Sequence, residues 1–294
     1  MEPHVRTQKM PHQPPSSFLR SATQGIFSFP DTFVHYCFAG YSMSQAPFSW
    51  PADVCVLIPA YRAAESLGEQ LPRVLQYVPA AQVLVVDDGS HDGTDRVCSR
   101  YGVRRESHMV NCGKGAALRT GFAALLEREF DWIITMDADG QHAAADLPVL
   151  LKAIRRNPET GVWVGSRDMR PGRMPFARIC SNTITSTALS ILCRCPVEDS
   201  QCGYRAYAAR LLRRITIDHN RFEAESEIIL KAVYAGHAVR FQPVQTLYCS
   251  RQSHISHLLD TLRWIRAVLM VWIRLHRQRS HADSHATSQA ADSR

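Results

Sequence analysis

A chain of 294 residues, 45% hydrophobic and 21% charged, can build one large domain or two small ones, which excludes a wholly disordered protein. Its net charge of +7 and pI near 9.0 suit nucleic acid, an anionic membrane surface or a phosphate-rich substrate, and select none of them. Nine cysteines without a CxxC pair exclude a disulfide scaffold and standard zinc spacing, and read as free thiols in a reducing cytoplasm.

Residues 1–50 are polar and Pro-rich, then aromatic but aperiodic, and read as a partly disordered N-terminal extension without a secretory signal. From Asp53 the pattern changes. "VCVLIPAY" is a continuous apolar run of the kind a buried parallel strand shows. "ESLGEQLPRVLQYV" has helical spacing, with Leu67, Leu71, Val74, Leu75 and Val78 on one face. "QVLVVDDGS" is a second buried strand, and "DGTDRVCSRYG" a short helix. "GKGAALRTGFAALLEREF" is a longer helix approached through glycines, followed by the strand "DWIITMDADG", the helix "AAADLPVLLKAIRRNP" and the strand "GVWVGSRD".

Strands alternating with helices predict a doubly covered, mostly parallel α/β sheet over 51–250, with ligands at the strand ends. Past residue 170 the rhythm loosens. "ARICSNTITSTALSILCR" and "RFEAESEIILKAVYAGH" read as helices, and "DSQCGYRAYAARLLRRI" as a loop that turns helical. "AVRFQPVQTLYC" is a strand that Pro243 places at an edge or bulge. Residues 251–280 hold an apolar, Arg-bearing helix whose uncharged centre, Ala267 to Ile273, is too short to span a bilayer. It fits an interfacial helix on an anionic leaflet, and nearly as well a helix packed on the domain or in a dimer. Residues 281–294 read as a disordered tail.

The densest chemistry is "MDADGQH". On an extended strand, i and i+2 share a face, so Asp137 and Asp139 would present two carboxylates to one space. A hard divalent cation, Mg²⁺ or Mn²⁺, relieves that repulsion, Gly140 lets the backbone turn, and Gln141 can add an oxygen. The competing reading is a pair of solvated turn acids. His142 reads as a loop residue. Asp87 and Asp88 in "VVDDGSHDGT" suit either a nucleobase or ribose, or turn and cap chemistry; an EF-hand fails because Ser99 occupies its twelfth position. "NCGKGAALRTG" fails both the Walker and the dinucleotide patterns. It leaves a glycine turn into a helix N-terminus beside Lys114, a modest anion site.

In order and spacing, "VLIPAY", "VVDDGSHDGT", "NCGKGAALRTGF", "MDADGQH", "VGSRD", "DSQCGYRAY" and "FEAESEIILKA" resemble glycosyltransferase family 2, of GT-A fold. The likeness runs from about Val54 to Arg266 and is nearest to the polyprenyl-phosphate (dolichyl-phosphate) sugar synthase branch. The resemblance implies a Rossmann-like three-layer sandwich and an inverting, metal-dependent transfer from a UDP- or GDP-sugar to a lipid acceptor. It implies a nucleoside pocket from Pro59, Tyr61, Asp87 and Asp88, and a metal site from Asp137, Asp139 and Gln141. Arg167 and Arg178 would receive the acceptor's phosphate, although Arg178 also fits a solvated helix charge. Asp199, Gln201 and Arg205 match the loop near the reaction centre, and Glu227 is preferred over Glu225 as an active-site acid. One departure stands out: the family usually has Asn and then an acid after the first-strand Tyr, whereas Arg62, Ala63 and Ala64 precede Glu65 here.

In that reading Asp199 is a general base for a hydroxyl acceptor, or a positioning residue for a phosphate, which is already anionic near neutrality. The expected placement is cytoplasmic and peripheral, on the inner face of the membrane through the C-terminal helix, with self-association left open and nucleic acid excluded. Rival readings are a nucleotidyltransferase, which shares the architecture but would carry a Gly-rich basic signature near the first strand, and a non-catalytic nucleotide- or lipid-binding homologue. An RNA-binding protein is suggested by charge alone.

Overall fold

The apolar runs at "VCVLIPA", "VLVVD" and "WIIT" become neighbouring strands because only a site covered on both faces keeps every side chain out of water. The computed structural model describes residues 49–171, 173–247 and 263–278; the expected extension up to residue 48, the expected tail and the start of the expected C-terminal helix lie outside them, while Trp50 is buried in the core. The strands are β1 (Val54–Ala60), β2 (Val83–Asp87), β3 (Arg104–Ser107), β4 (Trp132–Thr135), β5 (Val162–Ser166), β6 (Arg205–Ala208) and β7 (Val239–Pro243). They form one sheet in the order β3-β2-β1-β4-β6-β5-β7. All residues of β1, β2, β4 and β6 are buried, so both faces of the central sheet are covered. β1 runs parallel to β2 and β4, β2 to β3, and β5 to β7; β6 alone is antiparallel to its neighbours.

Two strands escape the sequence reading. β3 is short and polar, with alternate residues exposed at the sheet edge. β6 lies within the segment expected to turn from loop to helix. Its "RAYA" carries no β-branched residue, and the short helix α6 (Ala209–Leu212) follows it directly. Tertiary pairing with β4 and β5 overrides that weak local preference. β7 is the opposite edge strand, and Pro243 closes it.

The remaining helices are α1 (Ala64–Val74), α2 (Thr94–Tyr101), α3 (Lys114–Leu126), α4 (Leu147–Arg156), α5 (Phe176–Cys193), α7 (Glu223–Tyr234) and α8 (263–278). Four of the five residues expected on the inner face of α1, Leu67, Leu71, Val74 and Val78, are buried. α8 presents Trp264, Val268 and Val271, spaced i, i+4 and i+7, to the core, and the Trp264 indole N–H donates to Ser226 Oγ on α7 at 2.8 Å. Packing on the domain is thus met on that face, while Ile265, Leu269 and Met270 remain exposed. No helix of the described residues is long and apolar enough to cross a membrane. The seven cysteines among the described residues are free thiols.

Gly121 sets the distance between α3 and β1, because a Cβ there would meet the Leu57 methyls. Gly121→Ala should therefore destabilise the fold by about 1–3 kcal/mol, the usual range for overpacking. Urea unfolding checks this; an unchanged midpoint would show that α3 can step back from the sheet.

Candidate active site

The parallel strands β1, β2 and β4 deliver their C-terminal ends to one edge, where their register pairs Ala60 with Asp87 and Leu57 with Thr135. An open α/β sheet places its ligand crevice there. The chain is reversed at Gly89, which has φ +77°, and a Cβ on Gly89 would lie 2.6 Å from the Val110 carbonyl carbon. The loops after β2 and β3 are therefore pressed together. Asp88 joins them: its carboxylate accepts the backbone N–H of Cys112 at 2.8 Å and of Gly113 at 2.7 Å, and meets His108 Nδ1 at 2.6 Å. Asp87 accepts the Ser90 N–H at 3.0 Å. Both aspartates are buried, so the turn reading and the nucleoside reading meet in one segment, with Asp88 spent on holding the loop.

That loop ends in Lys114, the first residue of α3. Gly113 and Gly115 let the carbonyls of Asn220 and His219 approach so closely that a Cβ at either glycine would collide with them. The glycines thus serve the contact with the segment before α7. This brings Glu225 of α7 to Lys114, whose Nζ lies 2.5 Å from Asp137 Oδ1 and 3.0 Å from Glu225 Oε2. Burial alone would lower the lysine's pKa, but Asp137 and then Glu225 reverse the shift and hold the ammonium charged. Burial likewise would raise Asp137, and Lys114, followed by His142, brings it down to about 2.

β4 ends at Thr135, so Asp137 and Asp139 do not share the face of an extended strand as expected: Asp139 stands in the turn beyond it. The lysine, in place of an opposing carboxylate, is what Asp137 meets. Asp137 is pinned from several sides. Its N–H donates to His142 Nδ1 at 3.2 Å, and its carbonyl accepts from Gln70 Nε2 at 2.9 Å. His142 is buried and stacks on Tyr204, with ring centroids 5.0 Å apart; it is a strut of the site as well as a loop residue. Gly203 passes beneath the carboxylate, and a Cβ there would strike both Asp137 oxygens. Asp139 is exposed, with Oδ1 accepting the Gln141 N–H at 2.9 Å, and Gln141 Oε1 accepts from Arg178 Nη1 at 3.2 Å. Asp137, Asp139 and Gln141 offer only oxygen donors, the ligand type that suits Mg²⁺ or Mn²⁺.

Arg167 and Asp199 form a bidentate pair, Nε to Oδ2 at 2.7 Å and Nη2 to Oδ1 at 3.0 Å. Asp199 is 0% exposed and also accepts from Asn182 Nδ2 and the N–H groups of Arg167, Gln201 and Cys202. Burial would raise its pKa, yet the hydrogen bond from Arg167 holds it below the usual carboxylate range. Such a carboxylate orients Arg167 and is a poor proton acceptor, so the geometry favours the positioning alternative over the general base.

Three further residues stand differently from expectation. Arg205 is fully buried and donates to the carbonyls of Ser200, Cys202 and Glu225, so its fork is consumed in tying β6 to α7 and cannot face an acceptor. Glu227 accepts from the N–H groups of Asp218 and His219 and pairs with Lys231, away from Lys114; Glu225 is the acid the structure brings to Asp137's lysine. Gln201 is exposed and donates to Ser181 and Thr185 on α5. Pro59 is buried within β1, whereas Tyr61 is 43% exposed with the Arg62 guanidinium over its ring. The signal for Gly203 and His142 was present in "QCGYRAY" and "DGQH", but only the fold joins them to Asp137.

A mostly parallel sheet with one reversed strand, carrying this acid-and-lysine cluster at its strand ends, is the architecture of a GT-A glycosyltransferase. The family model described as "Glycosyl transferase family 2" matches residues 55–215, and the chain belongs to that family. The chain is 38% identical over 173 residues to the undecaprenyl-phosphate mannosyltransferase of Micrococcus luteus, covering 56% of this chain and 70% of that one. It is 30% identical over 201 residues to the polyprenol monophosphomannose synthase of Mycolicibacterium smegmatis, covering 64% and 75%. Among solved structures, glucosyl-3-phosphoglycerate synthase from Mycobacterium tuberculosis, in complex with Mn²⁺, UDP and phosphoglyceric acid, superposes with a TM-score of 0.59. The two are 19% identical, over 76% of this chain and 78% of that one. The protein is therefore a glycosyltransferase, and the nucleotidyltransferase alternative is set aside.

The folded pKa of Asp137, about 2, lies below the unfolded carboxylate value of about 4, so the group contributes stability that is complete above pH 4 and is lost as pH falls toward 2. Lys114→Met removes the strongest partner, lets burial raise that pKa, and should move acid unfolding to higher pH. Circular dichroism against pH reads the shift; coincident curves for the two proteins would remove the lysine from its central place.

Proposed function

We propose that this chain transfers a sugar from a UDP- or GDP-sugar to the phosphate of a polyprenyl-type membrane lipid, with inversion at the anomeric carbon. The observation that carries the reading is the connected line from Asp139 through Gln141 to Arg178, together with an Arg167 oriented by Asp199. It joins a donor-side carboxylate to one guanidinium through Gln141, while the guanidinium of Arg167 interacts electrostatically with Asp137; both guanidinium groups suit a phosphate. The names of the two relatives above, each a transferase for a polyprenyl-type phosphate, support the acceptor class.

In the reaction, an acceptor phosphate oxygen attacks the anomeric carbon from the side opposite the diphosphate. The new carbon–oxygen bond forms as the bond to the nucleoside diphosphate breaks, and the diphosphate leaves with that electron pair. The attacking oxygen is already anionic, so no proton need be removed. Arg167, held by Asp199, and Arg178, held by Gln141, bind and orient the acceptor's phosphate. Asp137 is ionised and fixed in place by Lys114, His142 and Gly203. Tyr61 offers an exposed ring at the end of β1 for the base, Pro59 shapes the strand end behind it, and Asp87 faces the ribose. Asp137, Asp139 and Gln141 would hold Mg²⁺ or Mn²⁺, which supplies Lewis-acid stabilisation to the departing diphosphate when bound.

The outer face of α8 fits the membrane role. Ile265, Leu269 and Met270 are exposed among Arg263, Arg266, Arg274 and Arg277, the pattern of a helix lying on an anionic leaflet. Each arginine near such a surface adds about 1 kcal/mol of attraction.

Two measurements test the proposal. In a donor screen with total membrane lipid, read by mass spectrometry, the wild-type chain should label a phospho-lipid in the presence of Mn²⁺ or Mg²⁺. Asp139→Asn should lose at least about a hundredfold in kcat with the fold intact, as for loss of an oriented electrostatic group. Transfer to a soluble acceptor alone would sink the lipid reading; full turnover by the variant with chelator present would sink the metal reading. In flotation assays, Ile265→Ser with Leu269→Ser should abolish binding to vesicles containing anionic lipid. Unchanged flotation would take α8 away from the membrane.

A further inference from the structure

The loop that ends in Lys114 holds a second group of ligating side chains. Asp88, His108 and Cys112 bring one carboxylate oxygen, one ring nitrogen and one sulfur within 4.8 Å of one another, with Asp88 buried, His108 half-buried and Cys112 exposed. We propose that they form a binding site for a zinc-type divalent ion, chemically distinct from the oxygen-only set at Asp137, Asp139 and Gln141. These ligands come from the end of β2 and from two points of the loop after β3. No local sequence spacing could announce them, and among the described residues this is the one cluster with such mixed donors.

The donor types decide the ion. A thiolate and an imidazole beside a single carboxylate suit Zn²⁺ and discriminate against Mg²⁺ and Mn²⁺, which prefer oxygen. The ring of His108 is already oriented as a ligating histidine is. Nδ1 points at Asp88 Oδ1, 2.6 Å away, and Nε2 lies 2.9 Å from Thr120 Oγ1 on α3. At 2.6 Å a proton must lie between nitrogen and carboxylate. An ion that takes its place needs Nδ1 free, and the ring proton then sits on Nε2, where the Thr120 hydroxyl turns from donor to acceptor. The ion replaces the hydrogen bond between Nδ1 and Asp88, and the one between Nε2 and Thr120 is kept with its direction reversed. Such a second partner fixes the tautomer and is the usual support of a metal-bound histidine.

Asp88 is held by the backbone N–H groups of Cys112 and Gly113 and has acceptor capacity left over. The Cys112 thiol, 3.3 Å from the Val110 carbonyl, releases its proton to solvent when it binds. Ligand atoms in a tetrahedral site with bonds of about 2.0 Å lie about 3.3 Å apart, so the His108–Asp88 contact opens slightly and the exposed Cys112 side chain swings in. Solvent reaches the fourth position from the Cys112 side. Because the same loop leads through Gly113 into Lys114, an ion here would clamp the segment that presents the lysine to Asp137.

The test does not rest on the proposed transfer reaction. The untagged full chain, stripped with chelator, is titrated with Co²⁺ as an optical substitute for Zn²⁺. The wild type should develop a cobalt–thiolate charge-transfer band that saturates at one ion per chain and survives excess Mg²⁺. Cys112→Ser, at an exposed position, should fold normally by circular dichroism and lose that band. Thr120→Val should weaken Co²⁺ about 10–100-fold, the usual loss when an outer partner of a ligating histidine goes. Absence of the band in the wild type, or its persistence in Cys112→Ser, would overturn the site and leave Asp88, His108 and Cys112 as a hydrogen-bonded loop anchor.

Discussion

Lys114 is the point on which the site turns. One ammonium satisfies Asp137, at the end of β4, and Glu225, on α7, and its own position follows from the loop that Asp88 ties down. Bringing two carboxylates into a half-buried crevice would otherwise drive one of them to take up a proton. With the lysine between them their repulsion is offset, Asp137 stays ionised, and the three segments that carry these groups, far apart in the chain, are held in one arrangement. Gly113 and Gly115 admit the backbone of the segment before α7, and Gly203 admits the Asp137 carboxylate; a Cβ at any of the three would collide with these neighbours.

A second layer of fixed charge surrounds it. Asp199 and Arg205 are both fully buried, and each spends its hydrogen-bonding capacity on its neighbours. Asp199 turns the fork of Arg167, and Arg205 binds the carbonyls that join β6 to α7. Burying an ion unpaired costs several kcal/mol, so such groups persist where partners are complete. Their contribution here is orientation: they hold fixed the groups that face the crevice.

Much of the sheet was legible in the sequence because buried strands show as apolar runs, as β1, β2, β4 and the start of β5 do. β3 and β6 were not, since the first is a polar edge strand and the second relies on its partners more than on its residues. The acidic motif at 137–141 was legible as a site, although its two carboxylates do not share a strand face, since β4 ends at Thr135. Asp137 is offset by Lys114, and Asp139 sits in a turn. Local spacing also could not separate Glu225 from Glu227, because the choice depends on how α7 is rotated against α3. Roles for Asp199 and Arg205 near the reaction centre were suggested by likeness to a family, while burial shows what their side chains touch.

The reversed strand β6 has a consequence for how the chain is made. β4 is paired with β1 on one side, but its other side pairs only with β6. During synthesis the N-terminal half can assemble while β4 presents an open row of backbone groups until Ala208 has left the ribosome. Open strand edges recruit foreign strands. The interval between Trp132 and Ala208 is thus the stretch of translation in which a nascent chain of this protein is most prone to aggregate, and the one a chaperone would most usefully cover.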